Sequence, residues 1–177
     1  MQASECTEVL PFLAFCYNIA ETFHGERLMI RPFMESDTEV LVRLWLDSAG
    51  TSFGFLPATF WSSLEEHIRT LYLPMSDEIV LHIDDATGRI DAFFAFAGEY
   101  LGALFVAPHM QGRGLGARMF RIARRMHPDL TLSVHKENVR AVTFYERQGL
   151  SVLAERIDNS TGCQEYVMGF RNDADKS

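Results

Sequence analysis

The sequence predicts one mixed α/β (α+β) domain, with a mostly antiparallel central sheet of six to seven strands and about four flanking helices. The chain has 177 residues, which suits a single domain with a sizeable core. Its residues are 47% hydrophobic, so a disordered chain is excluded. Short turns join three pairs of consecutive predicted strands, which predicts antiparallel pairing, and one single-helix crossover predicts a local parallel connection.

The first half of the chain predicts strands and helices from its apolar spacing. Ser36 and Asp37 are good helix N-caps, and Pro74 cannot continue a helix. An Asp-Ala-Thr-Gly turn separates the last two strands. The elements are a strand at Arg27–Phe33, a helix from Ser36 to about Gly50, a helix at Ser62–Leu71 and strands at Glu78–Asp84 and Arg89–Ala97.

The second half predicts a βαβ unit followed by a helix and a hairpin. The elements are a strand at Tyr100–Val106, a helix at Gly114–Met126, a strand at Leu130–Val134, a helix at Asn138–Gln148 and strands at Leu150–Ile157 and Cys163–Phe170. A right-handed crossover makes the strands on either side of the first of these helices parallel. We therefore expect an N-terminal extension over residues 1–26, a domain over 27–170 and a polar tail over 171–177.

Charge and composition limit the partners. A net charge of −8 argues against nucleic-acid binding and is compatible with a cationic acceptor. The apolar stretch from Val9 to Ala20 is too short for a membrane span, and Glu5 and Glu8 precede it where a secretory signal would place Lys or Arg. The cysteines and histidines show no metal-ligand spacing. We expect a cytoplasmic protein that binds neither a membrane nor a metal.

The segment Leu101–Ala117, LGALFVAPHMQGRGLGA, predicts an anion-binding loop. It contains an apolar strand, a glycine-rich turn and the start of a helix. Gly112, Gly114 and Gly116 leave the backbone bare, so main-chain N–H groups can surround a phosphate at the positive end of the helix. Arg113 and Arg118 add positive charge beside the turn.

Three kinds of phosphate loop can be compared with this segment. A P-loop requires Gly-Lys-Ser/Thr, and the lysine is missing. A dinucleotide fingerprint begins directly after its strand, whereas five residues intervene here. The pattern Gln-x-x-Gly-x-Gly is complete at Gln111, Gly114 and Gly116. The segment resembles the acyl-CoA-binding motif of the GNAT superfamily of N-acyltransferases.

A second segment, HKENVRAVTFYERQGL, strengthens this resemblance. It is similar to a GNAT pattern at Asn138, Ala141, Phe144-Tyr145 and Gly149-Leu150, where Leu150 replaces the usual phenylalanine. The resemblance covers about residues 27–170 and is strongest to small bacterial members. It implies a GNAT-like sheet in which two neighbouring strands splay apart to bind acetyl-CoA.

The resemblance also implies which residues bind the cofactor. The pantetheine arm would pair with the strand backbone at Leu104, Phe105 and Val106, and Asn138 would hydrogen-bond the same arm. One backbone N–H of this strand would hold the thioester oxygen. The pyrophosphate would be bound by the motif residues and their amides: Gln111, Gly112, Arg113, Gly114, Leu115, Gly116 and Ala117.

The catalytic residues follow from what acyl transfer requires. Tyr145 is the predicted general acid, because a phenol carries its proton at neutral pH and can pass it to the departing thiolate. Glu99 is our first choice for the general base. His82 and His109 are more simply explained as structural or solvated residues. Ser133 takes a place where some protein-modifying relatives have glutamate, and serine cannot serve as a base.

We therefore predict direct transfer of an acetyl group from acetyl-CoA to a primary amine of a small molecule, peptide or protein. Thr51–Trp61 and the helix that follows would wall the acceptor pocket. The alternatives are a non-catalytic acyl-CoA-binding module, which the presence of Tyr145 opposes, and an NAD-binding protein. A homodimer is compatible with the resemblance.

Overall fold

A computed structural model describes residues 19–23, 26–52 and 57–171. This part of the chain forms an eight-stranded mixed sheet with helices on both faces. The strands are β1 Ile19–Phe23, β2 Glu26–Pro32, β3 Glu78–Ile83, β4 Ile90–Ala97, β5 Tyr100–Val106, β6 Thr131–His135, β7 Ser151–Ile157 and β8 Gln164–Gly169. The helices are α1 Thr38–Ser52, α2 Ala58–Ser63, α3 Glu65–His67, α4 Leu73–Met75, α5 Leu115–Met126 and α6 Val139–Arg147.

The strand order is β1-β2-β3-β4-β5-β6-β8-β7. Every neighbouring pair is antiparallel except β5 and β6, which are parallel and are linked through α5. The predicted fold class is confirmed, and the described chain has one strand more than the sequence indicated. This strand, β1, pairs with β2 and falls within the segment predicted as an N-terminal extension.

Two apolar layers sandwich the sheet, and we name its faces after their principal helices. On the α5 face, the side chains of Phe94 and Phe96 pack with Met119 and Phe120 of α5. On the α1 face, the alternate β4 residues Phe93 and Ala95 pack with residues of α1. Because successive strand residues point to opposite faces, β4 is buried on both sides and reads as an almost continuous apolar run.

The helical segment before β3 differs from its prediction. It begins at Ala58 rather than Ser62, and Pro74 lies inside α4 instead of ending the helix at Leu71. A π-helical turn at Ile68–Tyr72 separates α3 from α4. Pro74 is tolerated because it occupies the first turn of a newly started element, where the backbone N–H is not needed.

Strands β5 and β6 separate almost at once. Their only registered pair is Tyr100 with Thr131, beside a 3.0 Å hydrogen bond from Thr131 N to Glu99 O. At the far end of β5, the Val106 carbonyl accepts hydrogen bonds from side chains, at 3.0 Å each from Ser48 Oγ and Gln111 Nε2. The predicted splayed strand pair is therefore present. None of the helices that the structure describes has the length and apolar content needed to span a membrane.

Candidate active site

A cavity of about 960 Å³ occupies the gap between β5 and β6. Its lining includes Tyr145 and Leu104, which pack on the α5 face, and Phe60 and Trp61, which pack on the α1 face. The cavity is therefore bounded by residues of both sides of the sheet. Of the predicted cofactor residues it is lined by Leu104, Phe105, Val106, Gln111, Gly112, Gly114, Gly116, Ala117 and Asn138.

The glycine-rich turn has the backbone that the sequence predicted. Gly112 and Gly114 adopt φ values of 74° and 82°, which are left-handed and favour glycine. Gly114 is the N-cap of α5, and no side chain caps this end of the helix. The first amides of α5 therefore lie beside the cavity without a side-chain cap, which is the arrangement that binds a phosphate.

The other residues of the loop have different environments. The Leu115 side chain is buried in the core, so only its backbone amide could contact a phosphate. Arg113 is exposed and does not line the cavity. Arg118, which the sequence also suggested for nucleotide contact, lines a separate cleft of about 540 Å³ together with Arg121 and two further arginines.

Gln111 and Asn138 brace the mouth of the cavity. The Gln111 amide donates to Val106 O, and its oxygen accepts from Arg140 Nη1 at 3.1 Å, so it links β5 to α6. Asn138 is the N-cap of α6, where its Oδ1 accepts from Ala141 N at 3.1 Å. Because the cap uses only this oxygen, the two amide N–H donors of Asn138 remain for other partners.

Tyr145 packs edge-on against Phe120 and Phe144, with ring centroids 5.7 and 5.0 Å away. Burial, with a smaller contribution from Tyr100, raises the pKa of Tyr145 above its ordinary value, so the phenol is protonated at neutral pH. Its hydroxyl has no hydrogen-bond partner within the described ranges. The arrangement fits a proton donor whose acceptor arrives with a ligand.

Glu99 lies elsewhere. It follows β4 in the turn to β5, does not line the cavity, and has a 64% exposed side chain that lies 3.2 Å from His127 Nδ1. This position does not support Glu99 as the general base. His82 is buried within β3, and His109 lies 3.2 Å from the buried carboxylate of Asp91, so neither histidine lines the cavity.

A polar cluster that the sequence analysis missed lines the cavity at the β6–β8 end. Glu165 is 7% exposed and accepts a hydrogen bond from Arg156 Nε. The Nε2 atom of His135 lies 3.0 Å from Asp158 Oδ2. Although partial burial opposes the shift, hydrogen bonds from Thr161 and Ser160 hold the pKa of Asp158 well below its usual range. Asp158 is therefore a fixed anion.

Ligand atoms of His135, Asp158 and Glu165 lie within 4.8 Å of one another, close enough to surround a small cation. Arg156 already pairs with Glu165, and Asp158 already bonds to its neighbours. We therefore interpret the cluster as a charged hydrogen-bond network. Sequence spacing could not reveal it, because its members come from two strands and a loop that only the fold brings together.

Comparison with known proteins agrees with this geometry. Residues 76–150 match the model of the acetyltransferase (GNAT) domain. The peptidyl-lysine N-acetyltransferase YjaB of Escherichia coli strain K12 is 32% identical over 71% of this chain and 83% of its own. The chain belongs to the GNAT acetyltransferase family. A second relative, the peptidyl-lysine N-acetyltransferase YiaC of the same strain, is 29% identical over 80% of this chain and 96% of its own.

Solved GNAT structures share the fold. The solution structure of apo YjaB from Escherichia coli has a TM-score of 0.72 and 26% identity, and covers 81% of this chain and 97% of its own. The PaiA N-acetyltransferase of Thermoplasma acidophilum, solved in complex with coenzyme A, has a TM-score of 0.64 at 18% identity, over 82% and 99% of the two chains. This GNAT protein is an acetyl-CoA-dependent acetyltransferase.

Proposed function

We propose that this protein transfers the acetyl group of acetyl-CoA directly to a primary amine, and that this amine is the side chain of a lysine in a peptide or protein. The observation behind the proposal is a cavity bounded by both faces of the sheet, with an anion-binding loop and Tyr145 at one side and carboxylates at the other. The names of YjaB and YiaC, both peptidyl-lysine N-acetyltransferases, support the choice of lysine.

The donor binds at the α5 side. The amides of Gly112 to Ala117 take the pyrophosphate, because unpaired N–H groups at a helix N-terminus favour an anion. The backbone of Leu104 to Val106 lacks a registered partner on β6, so its edge is open to the pantetheine arm. A backbone N–H of this edge polarises the thioester carbonyl, and Asn138 contributes its amide donors to the arm.

The acceptor reaches the thioester from the α1 side. Phe60, Trp61 and Leu64 line this part of the cavity and suit the apolar stem of a lysine side chain. The carboxylates of Asp158 and Glu165 attract its ammonium group. Arg156 offsets one of these two charges, so the wall keeps a net negative charge that matches a single cation.

The chemistry requires one new bond and one broken bond. The bound ammonium group first loses a proton to water in the open cavity. The resulting neutral amine attacks the thioester carbon, the C–N bond forms, and the C–S bond breaks with departure of the thiolate. The Tyr145 hydroxyl gives its proton to the thiolate sulfur, while the attacking nitrogen loses a proton to water in the open cavity. Direct attack needs no acyl-enzyme, which agrees with a site whose nucleophile arrives with the acceptor.

The test is a thiol-release screen with acetyl-CoA and a panel of lysine peptides, Nα-free peptides, polyamines and amino acids. We expect release with lysine peptides and acetylation at the ε-nitrogen by mass spectrometry. Tyr145→Phe should lower kcat about 10²- to 10⁴-fold and leave coenzyme A affinity unchanged. Tyr166→Phe, which alters a β8 tyrosine that does not line the cavity, is the matched control.

Other outcomes would contradict the proposal in distinct ways. Binding of coenzyme A without thiol release from any amine would favour the non-catalytic module. Release with polyamines alone would keep the acetyltransferase and reject the lysine acceptor. Full activity of Tyr145→Phe would reject Tyr145 as the proton donor. Competition between NAD and coenzyme A would reject the assignment of the loop.

A further inference from the structure

Tyr72 ends the π-helical turn Ile68–Tyr72 and packs on the α1 face of the sheet. A π-helical turn inserts a residue into the regular helical pattern and re-aims the side chains around it, and such turns occur often at functional sites. Neither the sequence analysis nor the family resemblance pointed to this tyrosine. Its ring extends from the helical layer to the backbone of β5.

The contact is made at Gly102, in the middle of β5. The pairing of β4 with β5 shifts register between Ala95 and Phe96, opposite Gly102, which is the mark of a β-bulge. A Cβ atom on Gly102 would lie 2.5 Å from the Tyr72 hydroxyl oxygen and 3.5 Å from its Cζ. The hydroxyl therefore occupies the side-chain space of Gly102, a residue that lines the cavity.

The Tyr72 hydroxyl has no hydrogen-bond partner among the residues that the structure describes. Burial, with a smaller contribution from Tyr100, raises the pKa of Tyr72 above its ordinary value, so this phenol is neutral under physiological conditions. The hydroxyl oxygen is not one of the fully buried, unpaired side-chain atoms of the described residues, so it keeps access to solvent and can bond a ligand that enters beside Gly102.

Tyr72 and Tyr145 pack on opposite faces of the sheet. Tyr145 belongs to the α5 face and Tyr72 to the α1 face, and a negative charge on Tyr100 would raise the pKa of either phenol. Tyr100 is the residue at which β5 and β6 part. Tyr145 lines the cavity directly, whereas Tyr72 is not a lining residue and reaches its wall at the backbone of Gly102.

We propose that the Tyr72 hydroxyl is an acceptor-positioning group: its oxygen accepts a hydrogen bond from an N–H of the neutral acceptor amine at the Gly102 bulge. A nitrogen held in this way keeps its lone pair for the thioester carbon. The inference rests on the proposed function and extends it, because it assigns an amine contact on the side of the sheet opposite the proton donor. Gly102 is glycine because any side chain would displace the hydroxyl.

The first experiment is Tyr72→Phe, which keeps the ring and removes only the oxygen. We expect kcat/KM for a lysine peptide to fall about 3- to 10-fold, the range of one hydrogen bond. The Kd of coenzyme A and the melting temperature should stay at their parent values. Met75→Ala, at an exposed position of α4 outside the cavity lining, is the matched control and should leave both kinetic constants unchanged.

The second experiment combines Tyr72→Phe with Gly102→Ala. In the parent background the new methyl group would displace the hydroxyl, so Gly102→Ala should lose at least as much kcat/KM as Tyr72→Phe. In the Phe background the nearest ring atom is 3.5 Å from the methyl, an ordinary contact, so the second change should cost little. Such non-additivity is the signature of a shared interaction.

Three results would overturn the inference while leaving the proposed function intact. One is an unchanged kcat/KM in Tyr72→Phe. Another is an equal loss of coenzyme A affinity, which would place the hydroxyl on the donor. Additive losses of Tyr72→Phe and Gly102→Ala would likewise reject the contact. If the parent protein acetylates no amine, the proposed function itself fails, and the coenzyme A measurement on the same variants still shows whether Tyr72 touches the donor.

Discussion

The phosphate loop gives a prediction whose size can be worked from the backbone. Gly114 has φ +82°, and a Cβ placed there would meet no atom within 4 Å. Gly114→Val therefore costs backbone strain rather than a clash, about 1–2 kcal/mol. If the turn relaxes to relieve this strain, the amides of α5 no longer converge. Two lost charge-assisted hydrogen bonds at about 1.5 kcal/mol each weaken coenzyme A binding by roughly two orders of magnitude.

Gly88 offers a matched control, because it has φ +69°, equally open surroundings and a place in the β3–β4 turn outside the cavity. Calorimetric titration with coenzyme A and thermal melting should be run on Gly114→Val and Gly88→Val. Both should melt a few degrees lower than the parent, since about 1 kcal/mol shifts Tm by roughly 2–4 °C in a domain of this size. Only Gly114→Val should lose coenzyme A. Equal affinity in the two variants would refute the loop assignment.

Two further predictions concern His82 and Asn138. Burial lowers the pKa of His82 in the folded protein. As the pH falls, His82 therefore becomes protonated in the unfolded chain, near its ordinary pKa of about 6.5, before it does so in the folded chain. The free energy of unfolding should therefore fall as the pH drops from 7 to 5. In urea unfolding, His82→Leu should make this dependence on pH weaker. An unchanged dependence would show that other groups cause it. Asn138→Ala should lose about 1 kcal/mol of stability with its cap, whereas Asn138→Asp keeps the capping oxygen. Both variants should bind coenzyme A more weakly. If Asn138→Asp binds coenzyme A as tightly as the parent, the Asn138 amide does not contact the cofactor.

Most of the fold was predictable because its signals are local. The alternating strands, the Gly88 turn and the amphipathic pattern of α5 each depend on neighbours in sequence, and each was found within a few residues of its predicted place. The prediction for the helical segment around Pro74 was wrong, because the π-helical turn that precedes the proline has no sequence signature. Residues 53–56, which were predicted to form part of the acceptor wall, lie outside the described ranges.

In the proposed site, the donor half has a clearer sequence signature than the acceptor half. A phosphate loop needs glycines at fixed spacing, so Gly112 and Gly114 are visible in the sequence. The acceptor half depends on side chains that only folding brings together, such as Glu165 beside His135 across β6 and β8. Glu99 was chosen for its closeness in sequence to β5, but it stands at the opposite end of that strand from the phosphate loop. The N-terminal extension over residues 1–26 and the homodimer remain predictions.

The separation of β5 from β6 also affects the stability of the protein towards heat and proteolysis. A sheet joined at this seam by one residue pair leaves main-chain donors and acceptors of an interior strand unmatched, and in the proposed binding mode an arm lying along β5 would complete them as an extra strand does. Acetyl-CoA would then stabilise the fold as well as react, and the folded form would gain RT ln(1 + [L]/Kd) from it. The lifetime of the protein should consequently track the supply of its own co-substrate.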